Sequence, residues 1–361
     1  MTTADTISLH VGMDKTGTSA LQTFFHENRA ALVGRAGILY PDTGLWHDFS
    51  HHRVAFSCLE TNGYSQDDLE RYLAALSREL RGTPGAARAL LSSECLFKAP
   101  LTAGFARLRD YLSSNFVRVE IIVYVRRQDV WVDSRYRHSV LSGHELTLDM
   151  LKEPRFCDYK RFIDRWADDF GKASVIVRRH EPGRFVGGSI FSDFLSLFGL
   201  SIDDFHVPRH PVNVSLHNDE LCFKEMCNRV GYRGREGDVL NDVLRRYAAD
   251  ESYPKNTQPL MSHAERAALV RRYSEVNAAI ARDFVGDLGG VLFQEDPPES
   301  RDCEDTYEGI DDVTIGIIKT YIRANAPRVA RELEGHCRRA LESDDAAIRG
   351  TASRLLSIPY Q

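Results

Sequence analysis

Up to about residue 200, short apolar runs alternate with longer segments in which apolar residues recur at helical spacing. The short runs are rich in Val, Ile and Leu, as buried strands are, and the longer segments have one apolar face. Strands that alternate with helices predict a parallel sheet covered by helices, which is an α/β fold. Residues 37–65, rich in His, Gly and Asp, are predicted to form a loop. The predicted strands cover residues 7–11, 88–93, 117–125 and 174–178, and the predicted helices cover 19–33, 66–81, 129–141, 159–170 and 191–198.

After about residue 215 the strand pattern largely disappears and helical patterns replace it. Pro327 lies inside the last of these patterns, where a proline breaks or kinks a helix. The acidic, proline-bearing stretch at 294–305 predicts a linker or an exposed loop. We therefore expect an α/β core at residues 1–232 and a helical C-terminal region at residues 233–361. The helical patterns cover residues 218–231, 237–250, 262–283 and 313–342.

Composition and charge narrow the class of protein. Of the 361 residues, 43% are hydrophobic and 27% are charged, as in ordinary globular proteins. The net charge of -6 argues against a general nucleic-acid binder, although 46 Lys and Arg leave room for a local basic pocket. No run approaches the roughly 18 apolar residues of a transmembrane segment, and the N-terminus lacks the pattern of a signal peptide. Seven cysteines without a CxxC or HExxH motif predict a reducing, cytoplasmic location and no metal site.

The segment from Gly12 to Ser19 has the composition and the placement of a phosphate-binding loop. It reads Gly-Met-Asp-Lys-Thr-Gly-Thr-Ser, follows the first predicted strand and opens the first predicted helix. The N–H groups at a helix N-terminus attract anions, and Gly12 and Gly17 permit a tight turn close to an oxyanion. The hydroxyls of Thr16, Thr18 and Ser19 add further donors. The segment therefore predicts an anion site on a P-loop-like sheet.

The position of the lysine separates this loop from the loop of nucleotide triphosphatases. Their loop reads GxxxxGK[ST], with the lysine directly after the second glycine. Here Thr18 occupies that place and the cation lies upstream, at Lys15. Lys15-Thr-Gly-Thr18 after a strand resembles the 5′-phosphosulfate loop of sulfotransferases that use 3′-phosphoadenosine 5′-phosphosulfate (PAPS), particularly the bacterial and carbohydrate-type members. The resemblance implies that the loop cradles the 5′-phosphate and the sulfonate and that Lys15 contacts the bridging oxygen.

A second anion site is predicted where the third strand ends. Val123-Tyr-Val-Arg-Arg127 closes that strand, and Ser134 follows on the next helix, eight residues after Arg126. Open α/β sheets bind ligands at the carboxyl ends of their strands, and an arginine can make paired bonds to a phosphate. The spacing of Arg126 and Ser134 resembles the family's 3′-phosphate site, although Arg126 could instead pair with a carboxylate such as Asp129. The Arg-Lys-Gly segment of cytosolic eukaryotic members is not found, so the remaining 3′-phosphate contacts are unassigned.

Sulfuryl transfer also needs a base that takes the proton of the acceptor hydroxyl, and the resemblance implies a histidine or a glutamate in this role. His51 and His52 lie in the loop after the first strand–helix unit, in a run that looks like the paired-histidine segment of bacterial relatives. Histidine changes its protonation near neutral pH, which suits proton abstraction. Glu94 follows the second predicted strand, at the sheet edge where ligands bind. The sequence leaves all three candidates open.

Together these features predict a PAPS-dependent sulfotransferase that acts on an acceptor hydroxyl without a metal. The acceptor is expected to be a carbohydrate, a glycolipid or another small molecule, and the sequence leaves a homo-oligomer open. One alternative is a small-molecule kinase on the same scaffold, although a kinase would place lysine at position 18. The other is a non-catalytic nucleotide-binding protein that uses its helical C-terminal region to bind a partner.

Overall fold

The structure is a computed structural model that describes residues 4–208, 215–294 and 306–361. In these ranges the chain forms one sheet of five strands, and all neighbouring strands are parallel. Helices flank the sheet and make up the C-terminal part, so the predicted α/β fold with a P-loop-like parallel sheet is confirmed. The strands are β1 (Thr6–His10), β2 (Ile38–Leu39), β3 (Arg88–Ser92), β4 (Arg118–Val125) and β5 (Val175–Arg179).

The helices follow one another closely along the chain. Up to the fifth strand they are α1 (Thr18–Glu27), α2 (Arg29–Ala36), α3 (His52–Leu59), α4 (Gln66–Gly82), α5 (Phe105–Asn115), α6 (Gln128–Leu141), α7 (Leu148–Leu151), α8 (Pro154–Cys157) and α9 (Tyr159–Phe170). After it they are α10 (Ile190–Ser196), α11 (Asn218–Arg229), α12 (Arg235–Ala249), α13 (His263–Arg272), α14 (Ser274–Ile280), α15 (Asp312–Asn325), α16 (Pro327–Ala340) and α17 (Ala346–Ser357). Among the described helices, none combines the 18 residues and the apolar character that a bilayer span requires.

Several boundaries differ from the prediction for local reasons. The helix expected at 19–33 is two helices that meet at Asn28, where the backbone leaves the helical conformation with φ -102° and ψ 13°. The loop expected at 37–65 contains β2 and α3. The predicted break at Pro327 is confirmed, since this proline is the first residue of α16. Except for Gln294, the predicted linker at 294–305 lies outside the described residues.

The order of the strands, β2-β3-β1-β4-β5, places β1 at the centre of the sheet. The chain runs from β1 to β2 and β3 on one side and then crosses to β4 and β5 on the other. The carboxyl ends of β1 and β4 therefore form a topological switch point, where sheets of this kind bind ligands. His10 pairs in register with Ser92 of β3 and Ile122 of β4, so the three strands end at one edge. The Gly12–Ser19 loop and Arg126 both leave the sheet at this edge.

Contacts divide the chain into two compact units. The first contains the whole sheet and comprises Met1–Gln128, Pro154–His210 and Val270–Asp296. The second comprises Asp129–Glu153, Pro211–Leu269 and Pro297–Gln361, and its described residues form no strand.

The boundary that the sequence predicts at residue 232 falls inside the second unit, between α11 and α12. The difference arises because shared burial, and not chain order, joins helices into a unit. Helices α11 and α12 share one apolar core with α15, α16 and α17. Its members include Phe223, Leu244, Ile318, Leu333 and Leu355.

Candidate functional site

The Gly12–Ser19 loop has a backbone that few residues adopt. Gly12, Lys15 and Gly17 have φ angles of 45°, 63° and 78°. A Cβ atom on Gly12 would lie 2.8 Å from Cγ2 of Thr18, and one on Gly17 would lie 2.6 Å from Cδ1 of Ile190. Both positions therefore favour glycine for its conformation, and at each a neighbouring side chain would have to shift to admit a Cβ atom. The left-handed conformation of Lys15 costs about 1–3 kcal/mol in general, and such conformations cluster at ligand sites.

The loop ends at the N-terminus of α1, which has no side-chain cap. Its N-cap residue is Gly17, and its first turn contains no acidic residue. The first N–H groups and the dipole of the helix favour an anion at this end. Ser19 is exposed here, whereas Thr16 is fully buried and its hydroxyl donates to the carbonyl of Met13 at 2.5 Å. The sequence led us to expect that this hydroxyl faces a ligand. It instead bonds to the backbone of the loop, and Thr16 thus stabilises the loop conformation.

Arg126 ties the end of β4 to the loop. Its Nη1 donates to the carbonyl of Lys15 at 2.9 Å, across 111 positions of the chain. The N–H of Met13 donates to the carbonyl of Tyr124 at 3.1 Å, which extends the pairing of β1 and β4 into the loop. Ser134, the predicted partner of Arg126 at a second phosphate, lies on α6 in the second compact unit. Its contact with the same ligand stays a prediction.

His180 belongs to the same edge, although no role for it was predicted from the sequence. It directly follows β5, and its N–H donates to the carbonyl of Val125 at 2.7 Å. Its Nε2 lies 3.7 Å from the position of a Cβ atom on Gly17. Burial, and secondarily the charge of Arg126, lower the pKa of His180 to about 4. A neutral imidazole therefore lies beside the loop. In the sequence, the position of His180 directly after a predicted strand was the feature that could have marked it as a site residue.

His51 is held on both sides of its ring. Its Nδ1 accepts from the N–H of Ser92 at 3.1 Å, and its Nε2 donates to the carbonyl of Pro41 at 3.0 Å. The ring is fully buried, and burial lowers the pKa of His51 to about 3. No lone pair remains to take a proton from an acceptor. The geometry therefore gives His51 a structural role in place of the catalytic one considered from the sequence.

His52 and Glu94 face each other at the carboxyl edge of the sheet. Nε2 of His52 lies 3.9 Å from Oε1 of Glu94 and 3.7 Å from Oδ2 of Asp48. Nδ1 of His52 lies 2.8 Å from Oγ of Ser93. The side chains of His52 and Glu94 are 11% and 18% exposed, so both remain accessible. Nε2 and Oε1 are therefore close enough for one hydroxyl to contact both.

A polar network fixes the other oxygen of Glu94. Nε2 of Gln22 donates to Oε2 of Glu94 at 2.9 Å and to Oγ of Ser92 at 3.3 Å. Oγ of Ser92 also lies 2.9 Å from Nδ1 of His10, a fully buried ring whose pKa burial lowers to about 3. Glu94 in turn adjoins the loop, because its Cβ lies 3.7 Å from the position of a Cβ atom on Gly12. The pair of His52 and Glu94 is therefore next to the Gly12–Ser19 loop.

Asp48, Ser93 and the role of Gln22 were not predicted from the sequence. The run that contains the paired histidines included Asp48, and its spacing of four residues from His52 was the only signal. Ser93 and Gln22 join the site through pairing of strands and packing of α1, which a linear pattern does not encode. In the described ranges, no group of three or more His, Cys, Asp or Glu side chains is placed to hold a metal ion.

Comparison with known proteins finds distant similarity. No family model matches the chain. An uncharacterized protein of Archaeoglobus fulgidus is 25% identical over 213 residues, which are 58% of this chain and 57% of that protein. The match thus spans little more than half the length of this relative. The crystal structure of a sulfotransferase from Alicyclobacillus acidocaldarius aligns with 65% of this chain and 95% of its own, with a TM-score of 0.35 and 18% identity.

Proposed function

We propose that this protein is a sulfotransferase that moves a sulfuryl group from PAPS to the hydroxyl of a small-molecule acceptor. The observation that carries the proposal is that the Gly12–Ser19 loop adjoins the pair of His52 and Glu94. The Gly12–Ser19 loop opens an uncapped helix at the switch point of the sheet, and Glu94 lies directly against Gly12. The lysine of the loop stands at Lys15, where the sulfotransferase loop that it resembles carries it.

The residues of the loop fit a donor with a 5′-phosphosulfate. Glycine at positions 12 and 17 permits the positive φ angles of the loop, and the start of α1 offers N–H groups to an anion. In the proposal, these groups and Lys15 hold the 5′-phosphate and the sulfonate. We assign Arg126 to the 3′-phosphate, because an arginine can form paired hydrogen bonds to a phosphate.

The proposed step is an in-line displacement at sulfur. The acceptor oxygen forms a bond to sulfur while the bond from sulfur to the phosphate oxygen breaks, and that oxygen keeps the electron pair. Lys15 stabilises the charge that develops on it. The acceptor proton passes to Nε2 of His52, in the tautomer whose Nδ1–H donates to Oγ of Ser93, or to Oε1 of Glu94. Adenosine 3′,5′-bisphosphate and the sulfated acceptor are the products.

The donor can be tested by thermal unfolding with two nucleotides. Adenosine 3′,5′-bisphosphate should raise the melting temperature, because it occupies both predicted anion sites, while ADP should have little effect. A hundredfold excess over Kd adds about 2.7 kcal/mol to the free energy of unfolding. Equal stabilisation by both nucleotides would contradict the proposal. Transfer of radiolabel from PAPS to pooled acceptors then separates an enzyme from a protein that only binds the nucleotide.

The role of Lys15 has its own test. The variant Lys15→Ala should lower kcat by about 10²–10³-fold, as the loss of one oxyanion donor typically does. Lys172→Ala is a matched control, because Lys172 is an exposed lysine paired with Asp283 at 3.0 Å. A Lys15→Ala protein that turns over as fast as the Lys172→Ala protein would exclude Lys15 from the chemistry.

A further inference from the structure

A connected set of half-buried aromatic rings extends from His52. We call it the aromatic surface and define it as Trp46, Phe56, Tyr64 and Tyr72. The ring of Phe56 lies 5.4 Å from that of His52, 5.6 Å from that of Trp46 and 6.1 Å from that of Tyr64. Tyr64 in turn lies 6.4 Å from Tyr72. The proposed base therefore stands at one end of a continuous aromatic patch.

Local structure holds these rings in place. Phe56 follows His52 by four residues on α3, so both side chains lie on one helix face. A capping box of Ser65 and Asp68 starts α4 and thereby fixes the position of Tyr72, two turns further on. A core aromatic would be fully buried, as Trp166 is at 0% exposure. The four rings of the aromatic surface instead keep part of their area open to a ligand.

The charges around the aromatic surface limit what it can bind. Two carboxylates, of Asp48 and Glu94, lie within 3.9 Å of Nε2 of His52, so an anionic group next to the reacting hydroxyl would be repelled. At Trp46 the charge has the opposite sign, because the guanidinium of Arg53 lies 5.8 Å from the centre of this ring. A cationic ring stacked on Trp46 would meet that charge. An uncharged ring avoids both penalties.

We propose that the aromatic surface is the acceptor subsite and that it takes an uncharged alcohol carried on a ring. The inference rests on the proposed function, since it assigns the second substrate of that reaction. One ring of the acceptor packs against Trp46, Phe56 and Tyr64. Its hydroxyl reaches the gap between His52 and Glu94, and Asp48 selects against acceptors with a nearby carboxylate or sulfate.

A matched pair of ligands tests the predicted preference. Phenyl β-D-glucopyranoside and phenyl β-D-glucuronide share both rings and differ in one carboxylate. With saturating adenosine 3′,5′-bisphosphate, calorimetry should show that the glucuronide binds roughly 3- to 10-fold more weakly. Phenol, added as a third ligand, shows whether an aryl ring with a hydroxyl suffices. In Asp48→Asn the difference between glucoside and glucuronide should shrink.

Fluorescence locates the bound ring. The chain has 3 tryptophans, of which Trp131 and Trp166 are only 3% and 0% exposed, so acrylamide quenching reports on Trp46. The glucoside should protect Trp46 from acrylamide. Tyr64→Ala should weaken its binding about 2- to 10-fold, as the loss of one ring contact does. Phe284→Ala is the matched control, because Phe284 is a half-buried ring that contacts Lys160 and Lys172.

Several results would overturn the inference. One is equal binding of glucoside and glucuronide, and another is wild-type affinity in a folded Tyr64→Ala protein. A third is bisphosphate stabilisation without binding of either the glucoside or phenol, a result that leaves the proposed function intact. Conversely, the glucoside could protect Trp46 while the bisphosphate fails to raise the melting temperature. This result would refute the proposed sulfotransferase function and would leave the aromatic surface as a site for uncharged ring alcohols.

Discussion

At the scale of single residues, two neighbouring histidines have opposite environments. His51 is the N-cap residue of α3 and points into the protein, where backbone groups of Pro41 and Ser92 occupy its ring. His52 is the first residue of the helix and points toward Glu94. A shift of one residue at a helix start turns the side chain by about 100°. The sequence could propose the pair, but it could not separate the structural histidine from the proposed base.

Variants at these positions should behave differently. His52→Ala should lower kcat by about 10²–10⁴-fold, the usual cost of losing a general base, and should still bind adenosine 3′,5′-bisphosphate. His51→Ala should instead lower the melting temperature, because it leaves the buried N–H of Ser92 without its acceptor. Turnover per folded molecule should change little. If His52→Ala remains active and Glu94→Gln is dead, the base is Glu94.

Arg126 should affect both binding and turnover. From its distance to sulfur alone, loss of a 3′-phosphate contact would raise only the KM for PAPS. In the structure Arg126 also holds the carbonyl of Lys15, so Arg126→Ala should raise KM and lower kcat together. Steady-state kinetics on PAPS measures both constants. Arg118→Ala is the control, since Arg118 is exposed at the other end of the same strand, and a pure KM effect in Arg126→Ala would show that the bond to Lys15 is dispensable.

At the scale of elements, the loop between β1 and α1 depends on glycine at position 12. Gly12→Ala should destabilise the protein by about 1–3 kcal/mol and weaken bisphosphate binding, because it adds both an unfavourable φ and a contact with Thr18. Gly63→Ala isolates the first effect, as Gly63 has a φ of 79° with nothing within 4 Å of its Cβ position. Chemical denaturation measures both variants. Equal losses in the two would show that crowding at the loop is unimportant.

The same scale shows which elements the sequence could predict. Helix α4 was predicted at 66–81 from its apolar face, and α9 has the predicted bounds of 159–170. Strands β1, β3, β4 and β5 were found to within a residue or two, because buried parallel strands are continuous apolar runs. Strand β2 has only two residues and α3 only eight, so both are too short for a hydrophobic pattern to predict them. Both are set by contacts with β3 and with the edge of the site.

At the scale of the whole molecule, buried histidines link stability to pH. Burial lowers the pKa of His10 and His51 to about 3, while in the unfolded chain histidine titrates near 6.5. Between these values the unfolded state binds more protons than the folded state. Protonation therefore favours the unfolded state, and the free energy of unfolding declines as pH falls from about 6.5 toward 3. Each such histidine contributes a slope of at most about 1.4 kcal/mol per pH unit.

Urea unfolding at pH 7 and pH 5 tests this linkage. The free energy of unfolding should fall between the two conditions, and the fall should be smaller in His51→Gln, which cannot take up the proton. The control is His47→Gln, because His47 is an exposed histidine in the same loop. A wild-type slope in His51→Gln would show that this histidine does not contribute.

The sequence by itself determined the layout of the protein and the position of the Gly12–Ser19 loop. Apolar runs and helical periods are local, and so are the loop from Gly12 to Ser19 and the helix it opens. These features depend on neighbours in the chain, which is why the α/β sheet, the helical C-terminal part and the position of Lys15 could be read directly. The placement of Arg126 at the end of a strand was also a local signal.

Only the tertiary structure decided how distant segments meet. The bond from Arg126 to Lys15 spans 111 positions, and Gln22 reaches Glu94 across 72. Such contacts depend on strand order and register, which no periodicity encodes. The division into units was decided in the same way, because α14 belongs with the sheet and α11 with the later helices. The local pattern therefore supplied the candidate residues, and burial and register gave each of them its surroundings.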